Sequence, residues 1–322
     1  LSQRGSGFGG LLVGLGLIGI GAVAFFFAGT NKKFDLDDIF PKPKPKPEPD
    51  GNGDGGDGGG GTDTGGSCTF AAAGDWGSGR NSRWKQTLAL AKSAGAKLIV
   101  GLGDYSYTKA NDWEPVVAQA KKDGMDVKIS EGNHDSSSYA KTTGQPSMLH
   151  AFDCGPARIV LLNTESSPSS NANFLEKEMK ATKKAWKVVA FHKCLYTNSS
   201  DHGEESGLKS AISPIIKKYG IQLVLYAHNH NYQRFQFGDH KTMYVCAGTG
   251  GESHYGIKGS KSGTKYTNDS DYGILKVSIS GSKLSGAFVT HGGSTKDSFS
   301  LNASDFKVAN LAYAYVAPRI SI

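Results

Sequence analysis

Five short blocks fix the fold class of this chain before anything else does. Each lies at the end of an expected β-strand, and together they carry seven side chains able to bind metal. They are Asp75 in Ala-Gly-Asp-Trp, Asp104 and Tyr107 in Gly-Asp-Tyr-Ser-Tyr, Asn133 in Gly-Asn-His-Asp, His192 in Ala-Phe-His, and His228 and His230 in Ala-His-Asn-His. Carboxylate, phenolate, amide oxygen and imidazole are hard or borderline donors, suited to Fe, Mn or Zn rather than soft Cu(I). Alternating strands and helices imply an α/β sheet, and such sheets bind ligands beyond the carboxyl ends of their strands. The blocks fall where that rule puts a site.

The expected strands cover 69–73, 97–102, 127–130, 158–162, 187–191, 221–226, 232–237, 243–247, 272–279 and 284–290. Helical spacing marks 83–93, with Trp84, Leu88 and Ala91 on one face, and also 174–182 and 208–219. The predicted architecture is two packed mixed β-sheets flanked by helices and preceded by one long apolar α-helix. The expected divisions are an apolar helix over 1–30, a Pro/Gly-rich linker over 31–67, the catalytic-type domain over 68–291, and a β-like tail over 292–322. In that tail, 311–317 alternates with period 2 and reads as an added edge strand.

Residues 8–29 are an uncharged apolar run long enough to span a bilayer as a helix. Gly10 and Gly14 form a small-x-x-x-small pair that lets helices approach closely. The chain opens on Leu1 rather than Met, with an apolar segment retained, as pilin-type processing leaves it. Two readings follow: a single membrane anchor, or the core helix of a pilus-like homopolymeric filament. Either places the protein outside the cell or on its surface. The linker begins with alternating Pro and Lys, a semi-rigid polyproline spacer, and becomes Gly-rich. Within it, Asp50, Asn52 and Asp54 match the start of a calcium loop, but Gly61 stands where the bidentate Glu belongs. Calcium there and a solvated acidic hinge both stay open.

Net charge is +7, with scattered lysines and no Arg-rich cluster, which argues against nucleic-acid binding and for mild attraction of anionic substrates. Four cysteines without a Cys-x-x-Cys pair exclude a zinc ribbon. They leave two disulfides or four buried thiols open. Asn198, Asn268 and Asn302 each open an Asn-x-Ser sequon, consistent with export.

In their order and spacing the five blocks resemble the purple acid phosphatases, within the calcineurin-like metallophosphoesterases. The resemblance covers roughly residues 68 to 291. One departure is Ala227, where the family usually has Gly. Tyr107 discriminates, because most other metallophosphoesterases lack a tyrosine there. The resemblance implies Fe(III) on Asp75, Asp104, Tyr107 and His230. It implies a divalent Fe, Zn or Mn on Asp104, Asn133, His192 and His228, with Asp104 bridging. A trivalent ion suits three anionic oxygens and acidifies water, so hydroxide exists even in mild acid. His134 and His202 resemble the family's two phosphate-binding histidines, one acting as general acid. Asp135 is expected to orient His134.

The implied reaction is hydrolysis of phosphate monoesters. The alternatives are a phosphodiesterase on the same scaffold and a structural filament subunit decorated by a phosphatase-like domain. His150, His240, His254 and His291 read as structural. Trp76 and Trp113 read as packing residues or as lining of the substrate mouth. Glu252 and His254 are candidates for shaping the pocket.

Overall fold

The structure is a computed structural model and describes residues 65–108, 110–238 and 240–306. The apolar run at 8–29, the linker with Asp50, Asn52 and Asp54, and the stretch 311–317 lie outside those residues. Among the described residues no helix is long and apolar enough to cross a membrane.

Two mixed sheets carry the domain. The first has six strands: β1 (Ser67–Ala73), β2 (Leu98–Gly101), β3 (Asp126–Ile129), β11 (Gly273–Ser280), β12 (Lys283–Thr290) and β13 (Thr295–Asn302), in the order β13-β12-β11-β1-β2-β3. The second has seven: β4 (His150–Cys154), β5 (Ala157–Leu161), β6 (Trp186–Ala190), β7 (Leu223–Tyr226), β8 (Tyr232–Phe235), β9 (Met243–Ala247) and β10 (Thr264–Asn268), in the order β10-β8-β9-β7-β6-β5-β4. Among the described residues five α-helices accompany them: α1 (Arg83–Ser93), α2 (Glu114–Lys122), α3 (Tyr139–Thr143), α4 (Pro168–Ala181) and α5 (Ser206–Tyr219).

Period-2 alternation decides the layering. From β1, Phe70 and Ala72 enter a core shared with Val100, Ile159, Leu161, Val188, Leu225, Val245 and Leu275, so the sheets pack face to face. Ala71 and Ala73 point the other way, onto Leu88 of α1 and Val116 and Val117 of α2. On the far side, Val160, Val189 and Val224 meet Leu175 of α4 and Ile212 and Ile216 of α5. The central strands are buried on both faces. They read as unbroken apolar runs such as Leu-Ile-Val and Leu-Val-Leu-Tyr, as covered parallel strands do.

β1, β2 and β3 run parallel to one another, as do β5, β6, β7 and β9. All five motif blocks therefore leave the carboxyl ends of parallel strands. The expected two-sheet architecture is present, with further elements at its margins. β13 lies inside the segment expected as a tail. It pairs antiparallel with β12, so the sheet extends past residue 291. Its sequence, Thr-Lys-Asp-Ser-Phe-Ser-Leu-Asn, is largely polar, as suits an edge strand.

Neither cysteine expectation holds. Cys68 of β1 is bridged to Cys154 of β4, while Cys194 and Cys246 are free and buried. The free Sγ atoms lie 3.9 Å apart, and both thiols donate to the Ala227 carbonyl. The bridge joins the two sheets across 86 residues, a loop closure worth about 2–4 kcal/mol in the unfolded chain. Of the sequons, Asn198 is buried, with its side chain bonded to Thr264 and to the Lys261 amide.

Ala227 has a partner that explains it. A Cβ added at Gly74 would collide with the Ala227 Cβ and come within 3.0 Å of the Leu102 carbonyl. The methyl lost from one strand end is supplied by the other. Gly74→Ala is therefore expected to destabilise the domain by about 1–3 kcal/mol through overpacking. Adding Ala227→Gly should recover part of that loss, because the Leu102 contact remains. Denaturant melts of both single variants and the double variant measure the coupling. Strict additivity would refute the pairing.

Candidate metal centre

The three strand-end turns that present Asp75, Asp104 and His228 are conformationally costly. These are the non-glycine residues with positive φ among those described, at 57°, 53° and 68°. A left-handed non-glycine residue persists only where its surroundings over-determine it, and such residues concentrate at functional sites. All three belong to the expected ligand set.

Around them the donors fall into two groups. In the first, the Tyr107 hydroxyl donates to Asp75 Oδ1 at 3.1 Å and lies 3.1 Å from His230 Nε2, which is 3.5 Å from the same carboxylate oxygen. In the second, His192 Nε2 lies 3.3 Å from Asp104 Oδ2, 3.1 Å from Asn133 Oδ1 and 3.1 Å from His228 Nδ1. Donor atoms of Asp104, His192 and His228 all fall within 4.8 Å of one another. All seven expected ligands take part in these two groups, with Asp104 in the second.

The outer ring nitrogens are already committed. His192 Nδ1 bonds the Leu102 carbonyl at 2.8 Å, and His230 Nδ1 bonds that of Ser253 at 2.7 Å. Those carbonyls accept the Nδ1 protons and leave each Nε2 facing inward, the arrangement metal-ligating histidines use.

The electrostatics fit a cation. Burial holds the Asp75 carboxyl above its usual range, and its Oδ2 is buried without a hydrogen-bond partner. Burial also raises the Tyr107 phenol well above its ordinary value, and the Asp75 and Asp104 charges add to it. His192 would favour its neutral form on burial alone, yet the Asp104 carboxylate pushes it up to about 10. Asp104, although burial acts upward, is held well below the carboxylate range by His192 and by the His134 N–H. His228 is pushed down to about 2 by burial and by the His192 charge. Asp75, Tyr107 and His192 thus hold protons where a cation would sit, and a metal entering must displace them. The donor set and the orphaned Asp75 oxygen suit one ion on Asp75, Asp104, Tyr107 and His230, and a second on Asp104, Asn133, His192 and His228.

His134 is exposed, and its ring packs against Tyr107 with centroids 4.5 Å apart. His202 lies between β6 and α5, stacked on His228 at 3.9 Å. Both stand at the mouth. Asp135 does not do what was expected of it. Its carboxylate accepts from the backbone N–H groups of Asp104 (2.6 Å), Tyr105 (2.9 Å) and Gly132 (2.9 Å), and no hydrogen bond described for it reaches the His134 ring. It holds the Asp104 turn from beneath. Burial and the Asp104 charge push its carboxyl up to about 8.

Sequence reasoning missed Arg80, whose guanidinium lies 4.9 Å over the Tyr107 ring and 3.7 Å from Glu252. It sits in an irregular turn with no periodic signal. Glu252 is tied to the site through its backbone, its N–H donating to the Asp75 carbonyl at 2.8 Å. Trp76 and Trp113 are buried and join a column with Tyr105 and Tyr139, so they pack rather than line the mouth. His150 packs on Phe152, His240 near Tyr244, His254 on Tyr272, and His291 bonds Thr87.

A profile of the calcineurin-like phosphoesterase family matches residues 68–232. Curated relatives include purple acid phosphatase 21 of Arabidopsis thaliana, 24% identical over 155 residues, which are 38% of this chain and 36% of that protein. Purple acid phosphatase 17 of the same plant is 28% identical over 82 residues, 26% of this chain and 24% of that protein. The chain thus spans about a third or less of the length of these relatives. Among solved structures, purple acid phosphatase PPD1 from yellow lupin (Lupinus luteus) seeds superposes with a TM-score of 0.62 at 17% identity, over 75% of this chain and 55% of that one. GAP50, described as the anchor in the inner membrane complex of Plasmodium, superposes at 0.63 and 17% identity, over 75% of this chain and 90% of that one. On its fold and on the family profile, this chain belongs to the calcineurin-like phosphoesterase family, and the curated relatives it matches are purple acid phosphatases.

Proposed function

We propose that this protein hydrolyses phosphate monoesters at a two-metal centre of the purple acid phosphatase type, Fe(III) paired with a divalent Fe, Zn or Mn. The observation that carries the reading is the split donor set with Tyr107 in its more anionic half. A buried phenol held well above its ordinary value gives up its proton only to a strongly Lewis-acidic cation, which favours a trivalent ion there. When bound, such ions supply Lewis acidity, acidifying water and neutralising phosphate charge.

The chain's own residues do the rest. Asp104 holds the two halves together, with Asp135 fixing its backbone. Asn133 and His134 face the mouth, where they hold phosphate oxygens. His202, stacked on His228, is placed to protonate the departing alkoxide. We read the protein as exported and tethered through the segment at 8–29 and the Pro/Gly linker. The Cys68–Cys154 bridge supports this, because such bridges persist in oxidising compartments.

The test is a visible spectrum with metal analysis of the purified chain and of Tyr107→Phe. The expected result is about two metals per chain and a broad Fe(III)-phenolate band that the variant loses. A colourless, active protein with two Zn or Mn would remove the iron assignment and keep the hydrolase. A protein that binds no metal after reconstitution would overturn the reading.

A further inference from the structure

The middle residue of the Ala-His-Asn-His block has no place in the ligand set, yet it is fully buried and tied to the other side of the site. Asn229 Oδ1 accepts the His202 backbone N–H at 3.2 Å, and its Nδ2 donates to the His202 carbonyl at 3.0 Å. One side-chain amide thus pairs with both backbone groups of a single residue, as a neighbouring strand would. The polarity of that peptide also fixes which way the amide points. The Nδ2 group donates to Thr197 Oγ1 at 3.0 Å as well and lies 3.3 Å from Cys194 Sγ.

The backbone that presents Asn229 is itself rigid. Two successive tight turns close it, Asn229 N–H to the Ala227 carbonyl at 2.8 Å and Asn231 N–H to that of Asn229 at 2.7 Å. Beneath the His202 loop, Gln233 continues the network by bonding Thr197, Asn231 and the Asn198 N–H. The loop is otherwise irregular between β6 and α5, and α5 starts without a side-chain cap.

We propose that Asn229 is a positioning residue that clamps His202 over the His228 side of the centre. Two ligand candidates and the loop bearing His202 are thereby registered through one side chain. This rests on the phosphatase reading only for its catalytic consequence; the clamp itself rests on the hydrogen bonds. Replacing Asn229 leaves the ligands in sequence but frees the His202 peptide. A proton donor that drifts matters for a poor leaving group and hardly at all for one that departs as a stable anion.

The test compares the chain as it stands with Asn229→Ala on two monoesters, glycerol phosphate and 4-nitrophenyl phosphate. The alkyl ester is expected to lose roughly 10–100-fold in kcat and the nitrophenyl ester less than about threefold. In a His202→Ala background, Asn229→Ala should add less than about twofold, because both changes act through one group. Hydrogen exchange supplies a readout free of activity: the His202 amide should exchange at least about tenfold faster, while amides of β7 and β9 keep their rates. Equal losses on both esters, independent losses in the cycle, or an unchanged His202 amide would each overturn the clamp. If Asn229→Ala fails to fold, Asn229→Ser, which loses the same two-point pairing, is read in its place. A wild-type chain that hydrolyses neither ester would sink the phosphatase reading, and the exchange rates would still decide the clamp.

Discussion

Asp104→Asn is expected to lower phosphate-ester hydrolysis by roughly a thousandfold or more, on the scale of losing a preorganised electrostatic contact at the reacting centre. The substitution keeps shape and burial, so what it removes is charge and one acceptor. Asp104 Oδ1 accepts the His134 N–H at 2.9 Å, and Oδ2 faces His192 Nε2 at 3.3 Å. An asparagine presents one oxygen and one NH2 group, and the NH2 cannot bind a cation. The His192 shift depends on the same carboxylate, so its ring should titrate lower in the variant. Metal binding gives a second readout. A cation that binds the folded state alone raises the melting temperature by mass action. Wild type should gain stability on metal addition, and Asp104→Asn should gain little. Activity within about tenfold of wild type, with an intact metal-induced shift, would remove Asp104 from the bridging role.

Why the candidate ligands can be picked out of the chain, while the residues that hold them cannot, is a matter of range. Asp75, Asp104 and His228 follow short apolar runs directly, so the strand-end position is a local property of each block. The helix over 83–93 was equally local, with Trp84, Leu88 and Ala91 buried along one stripe. The α2 segment carried its own signals, Pro near the start and Lys121 and Lys122 in the last turn, but it is only nine residues long. β4 and β10 lie at the margins of their sheet, and their burial is incomplete, so their alternation is faint.

Other features depend on residues far apart in sequence. The Cys68–Cys154 bridge needs an inner strand of one sheet to meet the edge strand of the other. The Ala227 methyl is explained by the absence of one at Gly74. Asp135 sits next to His134 in sequence, which suggested a partnership. The turn instead aims its carboxylate back at the Asp104 and Tyr105 amides. Asn229 escapes any local reading, because an x between two histidines carries no signal of its own. In each case the decisive contact lies between residues that no local pattern connects.

The same long-range logic gives the second large effect. Gly132→Ala is expected to reduce metal affinity and turnover by about 100-fold, on the scale of losing a group that orients a ligand. Gly132 lies just before Asn133 and not in the left-handed region, so backbone strain is not the reason. A Cβ there would land on Asp104 Oδ1 and on the Asp104 N–H, with the Asp104 Cγ at 2.9 Å. The Gly132 N–H also donates to Asp135, the residue that fixes the Asp104 turn. The added methyl must displace the Asp104 carboxylate or push apart the turns after β2 and β3. Stability should fall by about 1–2 kcal/mol, the lower part of the range for overpacking. Gly238→Ala is the matched control, since a Cβ there meets nothing within 4 Å, and it should stay within about 0.5 kcal/mol of wild type. Metal titration alongside denaturant melts separates the two consequences. Because the clash falls on a carboxylate of the proposed metal site rather than on core side chains, the loss in metal affinity should exceed the equivalent loss in stability. The reverse ranking would mean that the domain relaxes around the methyl and that the Asp104 turn is less fixed than its hydrogen bonds imply.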